Sequence, residues 1–169
     1  MRNIFIISDT HFGHANMLKF TDSNTGERVR PLWEDVVDMD EHMISRWNDV
    51  VRDGDIVYHL GDVYMGGGRG VTILPRLRGR KRLILGNHDN GKDQNLHKHF
   101  EKIMVWRMFP EFNCLLTHVP VHDSTLNSKV QYNLHGHIHQ NPSPTPQHIN
   151  CCVEVQDYTP KSIEELVPR

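Results

Sequence analysis

The chain has 169 residues, a length that suits one domain with one core. Its formal charge is −2 and its composition is 37% hydrophobic and 24% charged, a balance that leaves nucleic acid possible as a partner but gives no support for a general nucleic-acid coat. No apolar run approaches the roughly 20 residues of a membrane span, so the feature left to explain is thirteen histidines.

Met1-Arg2-Asn3 and the short apolar run after it are too brief for a secretory leader. Three cysteines, two of them adjacent at Cys151-Cys152, form neither a disulfide framework nor a CxxC zinc pair. A cytoplasmic α/β protein is therefore expected. Ile4-Phe5-Ile6-Ile7, rich in β-branched residues, reads as a buried strand, and polar Thr21 to Pro31 as a loop. Val36, Met39, Met43, Ile44, Trp47 and Val50 recur at helical spacing behind an acidic start at Asp35 and Asp38, which predicts a helix with its stripe in the core. Asp53-Gly54-Asp55 turns the chain into a second strand, Ile56 to Leu60. A short helix is expected over Val71 to Leu77, a third strand over Arg82 to Leu85, and a helix over Gln94 to Met104. Phe112 to Thr117, Val130 to His135 and Ile149 to Val155 read as three later strands, with a Pro-rich loop from Asn141 to Pro146. Ser162-Ile163-Glu164-Glu165 has the capping-box pattern of a short closing helix. No repeat or linker divides residues 1–169, so a single α/β sandwich domain is expected.

Polar residues gather just past these strands. Asp9-Thr10-His11 follows the first strand, Gly61-Asp62 the second, Gly86-Asn87-His88-Asp89 the third, His118 a fourth and Gly136-His137-Ile138-His139 a fifth. Loops at the carboxyl ends of strands are where α/β sheets place ligands. In an extended segment residues i and i+2 point the same way, so Asp9 with His11, and His137 with His139, each present two donors to one point. Glycines 61, 86 and 136 let the backbone turn sharply or come close to an ion. Two carboxylates, one amide oxygen and four imidazoles make a mixed nitrogen and oxygen set that suits manganese, iron, nickel or zinc. Each piece alone is ordinary: a Gly-Asp, a lone strand-end His, or Asn87 as a turn residue. Their order along the chain carries the argument.

These blocks resemble the signature of the calcineurin-like metallophosphoesterase superfamily, over residues 4 to about 155. The resemblance implies a four-layer α/β/β/α sandwich with two divalent metal ions, manganese foremost, at one end. Asp9, His11, Asp62 and His139 would hold one ion. Asn87, His118, His137 and the bridging Asp62 would hold the other. His88 would sit beside the phosphate. Protein Ser/Thr phosphatases of this superfamily continue the second block as Gly-Asp-x-Val-Asp-Arg-Gly, whereas this chain runs Gly61-Asp62-Val63-Tyr64-Met65-Gly66-Gly67. The block Asp9-Thr10-His11-Phe12-Gly13-His14 is similar to compact bacterial and bacteriophage members, which places the protein in a host cytoplasm if it is viral.

The implied activity is hydrolysis of a phosphodiester, or alternatively a phosphomonoester, in a small molecule or nucleotide. A metal-bridging hydroxide would attack in line while His88 acts as general acid. Two divalent ions against two aspartates and a hydroxide leave a small positive excess, which suits a phosphate anion. Asp89 either orients His88 or caps a turn, and His14 either touches substrate or belongs to a local turn. His59, His122 and His135 read as structural residues, with orientation of ligands as the alternative. His42, His97, His99 and His148 are expected at the surface, Arg76 to Arg82 on a solvated helix end, and Cys151-Cys152 in half-buried packing. The rival function is an inactive or merely metal-binding scaffold, though all seven proposed ligands and His88 are present.

Overall fold

Alternation of side chains on short buried strands organises the protein, seen in a computed structural model that describes residues 3–65 and 67–168. The leader reading at Met1-Arg2 lies outside those residues. Ile4–Ile7 (β1), Ile56–His59 (β2), Arg80–Ile84 (β3) and Lys102–Met104 (β4) run parallel, and Lys161–Ser162 (β9) closes the sheet antiparallel to β1, in the order β4-β3-β2-β1-β9. On one face Phe5, Ile7, Val57 and Leu83 pack against Met39, Met43 and Trp47 of the helix Val36–Val50 (α1). On the other face Ile6, Tyr58 and Ile84 meet Phe109, Cys114, Leu116 and Leu134 of a second sheet. That sheet is built from Arg107–Phe109 (β5), Cys114–Leu116 (β6), Tyr132–His135 (β7) and His148–Asn150 (β8), in that order, and β6, β7 and β8 are parallel. Strands β1 and β2 are thus covered on both faces, which explains the apolar runs Ile4–Ile7 and Ile56–Tyr58. The described residues form a mixed α/β structure in which the two sheets lie face to face.

Most of the expected elements form. Asp35 caps α1 by accepting from the Val37 N–H at 2.6 Å. Ser162 likewise accepts from Glu164 N–H at 3.3 Å, opening a helix over Ile163–Leu166 (α4).

Five readings need correction, the first being the strand expected over Ile149 to Val155, which covers only His148–Asn150 (β8) before the backbone turns at 153–158. The helix expected to Met104 covers only Gln94–His99 (α3), because Phe100 turns extended and residues 102–104 become β4. There the Leu85 N–H donates to Met104 O at 2.8 Å, so satisfying the open edge of β3 overrides helical spacing. The helix expected from Val71 begins earlier, at Gly67–Ile73 (α2). Arg80 to Arg82 lie in β3 rather than on a helix end; Arg80 and Arg76 pair with Glu101 and Glu41, and Lys81 is buried with its ammonium on Leu77 O at 2.7 Å. Cys151 and Cys152 are fully buried rather than half-buried. Strands β5 and β9 had no expectation at all.

Candidate metal centre

Every parallel strand of both sheets ends on the same rim. Ser8, just past β1, bridges to Cys152, just past β8, and Val153 N–H donates to Ser8 O at 3.1 Å. At this seam the loops are bound to one another by backbone: Asp9 N–H to Gly61 O and His11 N–H to Asp62 O, both 3.0 Å, and Gly136 N–H to His118 O at 2.7 Å. A Cβ on Gly136 would land on Ser8 Oγ and Asp9 Oδ2, and one on Gly86 would land on Asp62 Oδ1. Only glycine allows this approach.

The structure brings the seven sequence-predicted ligands together as two neighbouring groups. Ligand atoms of Asp9, His11 and His139 lie within 4.8 Å of one another, and so do those of Asp62, His118 and His137. Asp62 Oδ2 stands between the groups, 3.6 Å from His11 Nε2 and 3.5 Å from His118 Nε2. Asn87 Oδ1 lies 2.8 Å from His118 Nε2 and 2.9 Å from His137 Nδ1. Donors at right angles about an ion with bonds of roughly 2.1 Å keep about this separation.

Convergence is achieved in a way that the expected extended spacing does not describe. Asp9, His11, Asp62, His137 and His139 all have positive φ, from 47° to 72°. The paired donors are aimed by left-handed turns, not by strand alternation. Five of seven proposed ligands in a region that L-residues seldom occupy is the backbone strain that clusters at functional sites.

Hydrogen bonding leaves lone pairs directed inward. Asp9 Oδ2 accepts from Ser8 Oγ at 2.5 Å, His137 N–H at 2.9 Å and Cys152 Sγ at 3.3 Å, while its buried Oδ1 takes no hydrogen bond among the described residues. Burial pushes this carboxyl above its usual range, against the imidazoles of His118 and His139. His11 is buried with neither ring nitrogen hydrogen-bonded among the described residues, and burial first, then Arg30, brings its pKa down to about 2. It is therefore a neutral imidazole with one nitrogen lone pair to give. His118 Nδ1–H donates to Leu60 O at 2.8 Å, which turns Nε2 toward Asn87 and Asp62. Orphaned buried acceptors facing one another are costly unless a cation lies among them, so this donor set fits divalent ions.

Behind the donors sits a network that sequence reasoning missed. Arg30, fully buried in the loop expected to be merely polar, donates to Asp9 O at 2.6 Å, Thr10 O at 2.9 Å and Glu154 Oε1 at 2.8 Å. Glu154 Oε1 also accepts from His139 Nδ1–H at 3.0 Å, directing the other ring nitrogen away. Despite burial, Arg30 and His139 hold the Glu154 pKa down to about 2. Burial lowers the His139 pKa, but Glu154 outweighs it and the net shift is upward. The one signal was Glu154 itself, an acid inside the apolar run Cys151-Cys152-Val153-Glu154-Val155.

His88 is exposed at the lip, with its ring 5.6 Å from that of His11 and its backbone N–H on Asp62 Oδ1 at 2.9 Å. Asp89 accepts from the N–H groups of Asp62, Val63 and Gly86 at 2.8, 3.0 and 2.9 Å, which is the turn-capping alternative. The His14 ring lies 5.6 Å from His11, with Nδ1 buried and unpaired among the described residues. His59 Nε2–H donates to Thr10 Oγ1 at 2.9 Å and Nδ1 accepts from Gly61 N–H at 3.2 Å, a neutral strut whose pKa burial lowers to about 3. His135 Nδ1–H donates to Gly136 O at 2.9 Å, and His122 accepts from Ser124 N–H away from the cluster. His97 is exposed and His99 half-buried, but His148 is buried, donating to Val121 O at 2.9 Å, and His42 is half-buried against Trp33.

A mixed α/β protein with a strand-end Asp/His/Asn cluster is the class that fold and site define. No protein-family model matches the chain. It is 36% identical over 177 residues to the uncharacterized protein MJ1445 of Methanocaldococcus jannaschii, spanning 99% of this chain and 90% of that protein. The chain therefore belongs to the family of MJ1445. It is also 33% identical to the gene 66 protein of Mycobacterium phage L5 over 113 residues, covering 64% of this chain and half of that protein. Among solved structures it is similar to a protein of unknown function, AQ665 from Aquifex aeolicus, with a TM-score of 0.75 and 26% identity over 98% of this chain and 97% of that one. Among the described residues no helix is long and apolar enough to cross a membrane.

Proposed function

We propose that the protein is a dinuclear-metal phosphoesterase of the calcineurin-like type, a four-layer α/β/β/α sandwich that hydrolyses phosphodiesters of small molecules or nucleotides. The observation that carries the reading is the pair of donor groups sharing Asp62 Oδ2. Asp9, His11 and His139 would hold one ion, Asn87, His118 and His137 the other, with Asp62 common to both. Manganese, iron, nickel or zinc suits these donors, and when bound such ions supply positive charge to a phosphate and acidify water. The chain's own residues do the rest. His88, exposed at the lip, hands a proton to the departing oxygen. His14, whose ring lies 5.6 Å from that of His11, orients the ester.

The test is hydrolysis of bis-p-nitrophenyl phosphate by manganese-loaded protein, before and after chelation. His88→Ala is expected to keep two ions and lose turnover by about 10²–10⁴-fold, the usual worth of a general acid. Asp62→Asn is expected to lose ions and activity together. Activity indifferent to chelator, or fewer than two ions in active protein, refutes the reading.

A further inference from the structure

Beside the donor cluster opens a cleft of about 570 Å³ whose lining includes Val105, Trp106, Val119 and Val121, together with Asn87 and His118. The same two side chains thus belong to the second donor group and to the cleft. Val105, Trp106 and Val119 are 71%, 60% and 47% exposed, in the segments that follow β4 and β6. An indole left in water beside two valines is unusual unless something covers it. The hydroxyl on this wall, Thr117 Oγ1, is already spent donating to Val119 O at 2.6 Å. The wall therefore offers flat apolar contact and little to hydrogen-bond a ring edge. Its volume falls in the range of small-molecule sites, roughly 300–1,000 Å³.

We propose that this cleft receives a planar aromatic group, aryl or nucleobase, of a phosphate ester, stacked on Trp106 while the phosphate lies at Asn87 and His118. The inference rests on the phosphoesterase reading for its phosphate, and on the cleft alone for its aromatic group. Stacking recognises a ring by its face, so the ester is selected for carrying a ring and not for which ring it carries.

Calorimetric titration of the manganese-loaded full chain with phenyl phosphate, thymidine 5′-phosphate and methyl phosphate tests this without turnover. Phenyl phosphate is expected to bind the wild type and Trp106→Phe about tenfold more tightly than methyl phosphate, and Trp106→Ala with no such preference. A similar gain for thymidine 5′-phosphate is expected, since stacking reads a ring by its face, and its absence confines the cleft to aryl esters. Equal affinities for all three ligands overturn the cleft, whatever the protein hydrolyses. The expected order of binding without hydrolysis of bis-p-nitrophenyl phosphate upholds the cleft and overturns the hydrolase reading. A wild-type dimer that Trp106→Ala dissolves shows that a second copy covers this face, and also overturns the proposal.

Discussion

Arg30 ties three parts of the site together, and removing its charge measures how much that tie contributes. In Arg30→Met the Glu154 carboxylate stays buried without its cationic partner, and the carbonyls of Asp9 and Thr10 lose their donors. Breaking a buried pair from one side costs about 3–5 kcal/mol, and each orphaned carbonyl adds roughly 1–3 kcal/mol. Against a domain stability of about 5–15 kcal/mol this is a large fraction, and it can prevent folding. With a urea dependence of roughly 2 kcal/mol per molar, a folded variant is expected to unfold at least about 2 M earlier. The gentler Glu154→Gln keeps an acceptor for Arg30 and His139 while removing the charge. It is expected to remain folded and to bind manganese about 10–100-fold more weakly, the usual effect of losing a partner behind a ligand. Urea denaturation in chelator reads the first effect, and competition against a chromophoric chelator reads the second. Wild-type manganese affinity in Glu154→Gln, together with a wild-type urea midpoint in Arg30→Met, would refute the network's role.

Two further outcomes follow from packing. Gly136→Ala places a methyl group on Ser8 Oγ and Asp9 Oδ2, so its soluble fraction is expected to fall and its ion content to drop below that of wild type, read by elemental analysis. Burial raises the thiol pKa of Cys114 to about 12 and also raises those of Cys151 and Cys152, so none should react with a thiol reagent at pH 8 until urea exposes all three. Rapid labelling of native protein would contradict the buried placement.

The strand-end positions of the donors were legible because short apolar runs stop abruptly at polar residues, as Ile7 does before Ser8-Asp9. The aim of those donors was not. Spacing of two suggested extended segments, whereas the backbone reaches the same convergence through left-handed residues at Asp9, His11, His137 and His139. Asp and His enter that conformation more often than most residues, but residue type alone does not mark which of them will; here the loops are crowded around Gly86 and Gly136. Arg30 escaped notice because its neighbours are polar and its three acceptors come from Asp9, Thr10 and Glu154, distant in the chain. Residues 102–104 were misread for a related reason: helical spacing is a local signal, and the open edge of β3 is not.

The division of donors between sheets bears on how the protein matures. Asp9, His11, Asp62 and Asn87 follow strands of the first sheet, and His118, His137 and His139 follow strands of the second. Each donor group draws on both. A chain emerging from a ribosome makes the first set long before the second, so on this reading neither ion is fully enclosed until the sheets have docked. Metal content then acts as a certificate of assembly: nicked, truncated or half-docked molecules are expected to leave their ions in solution.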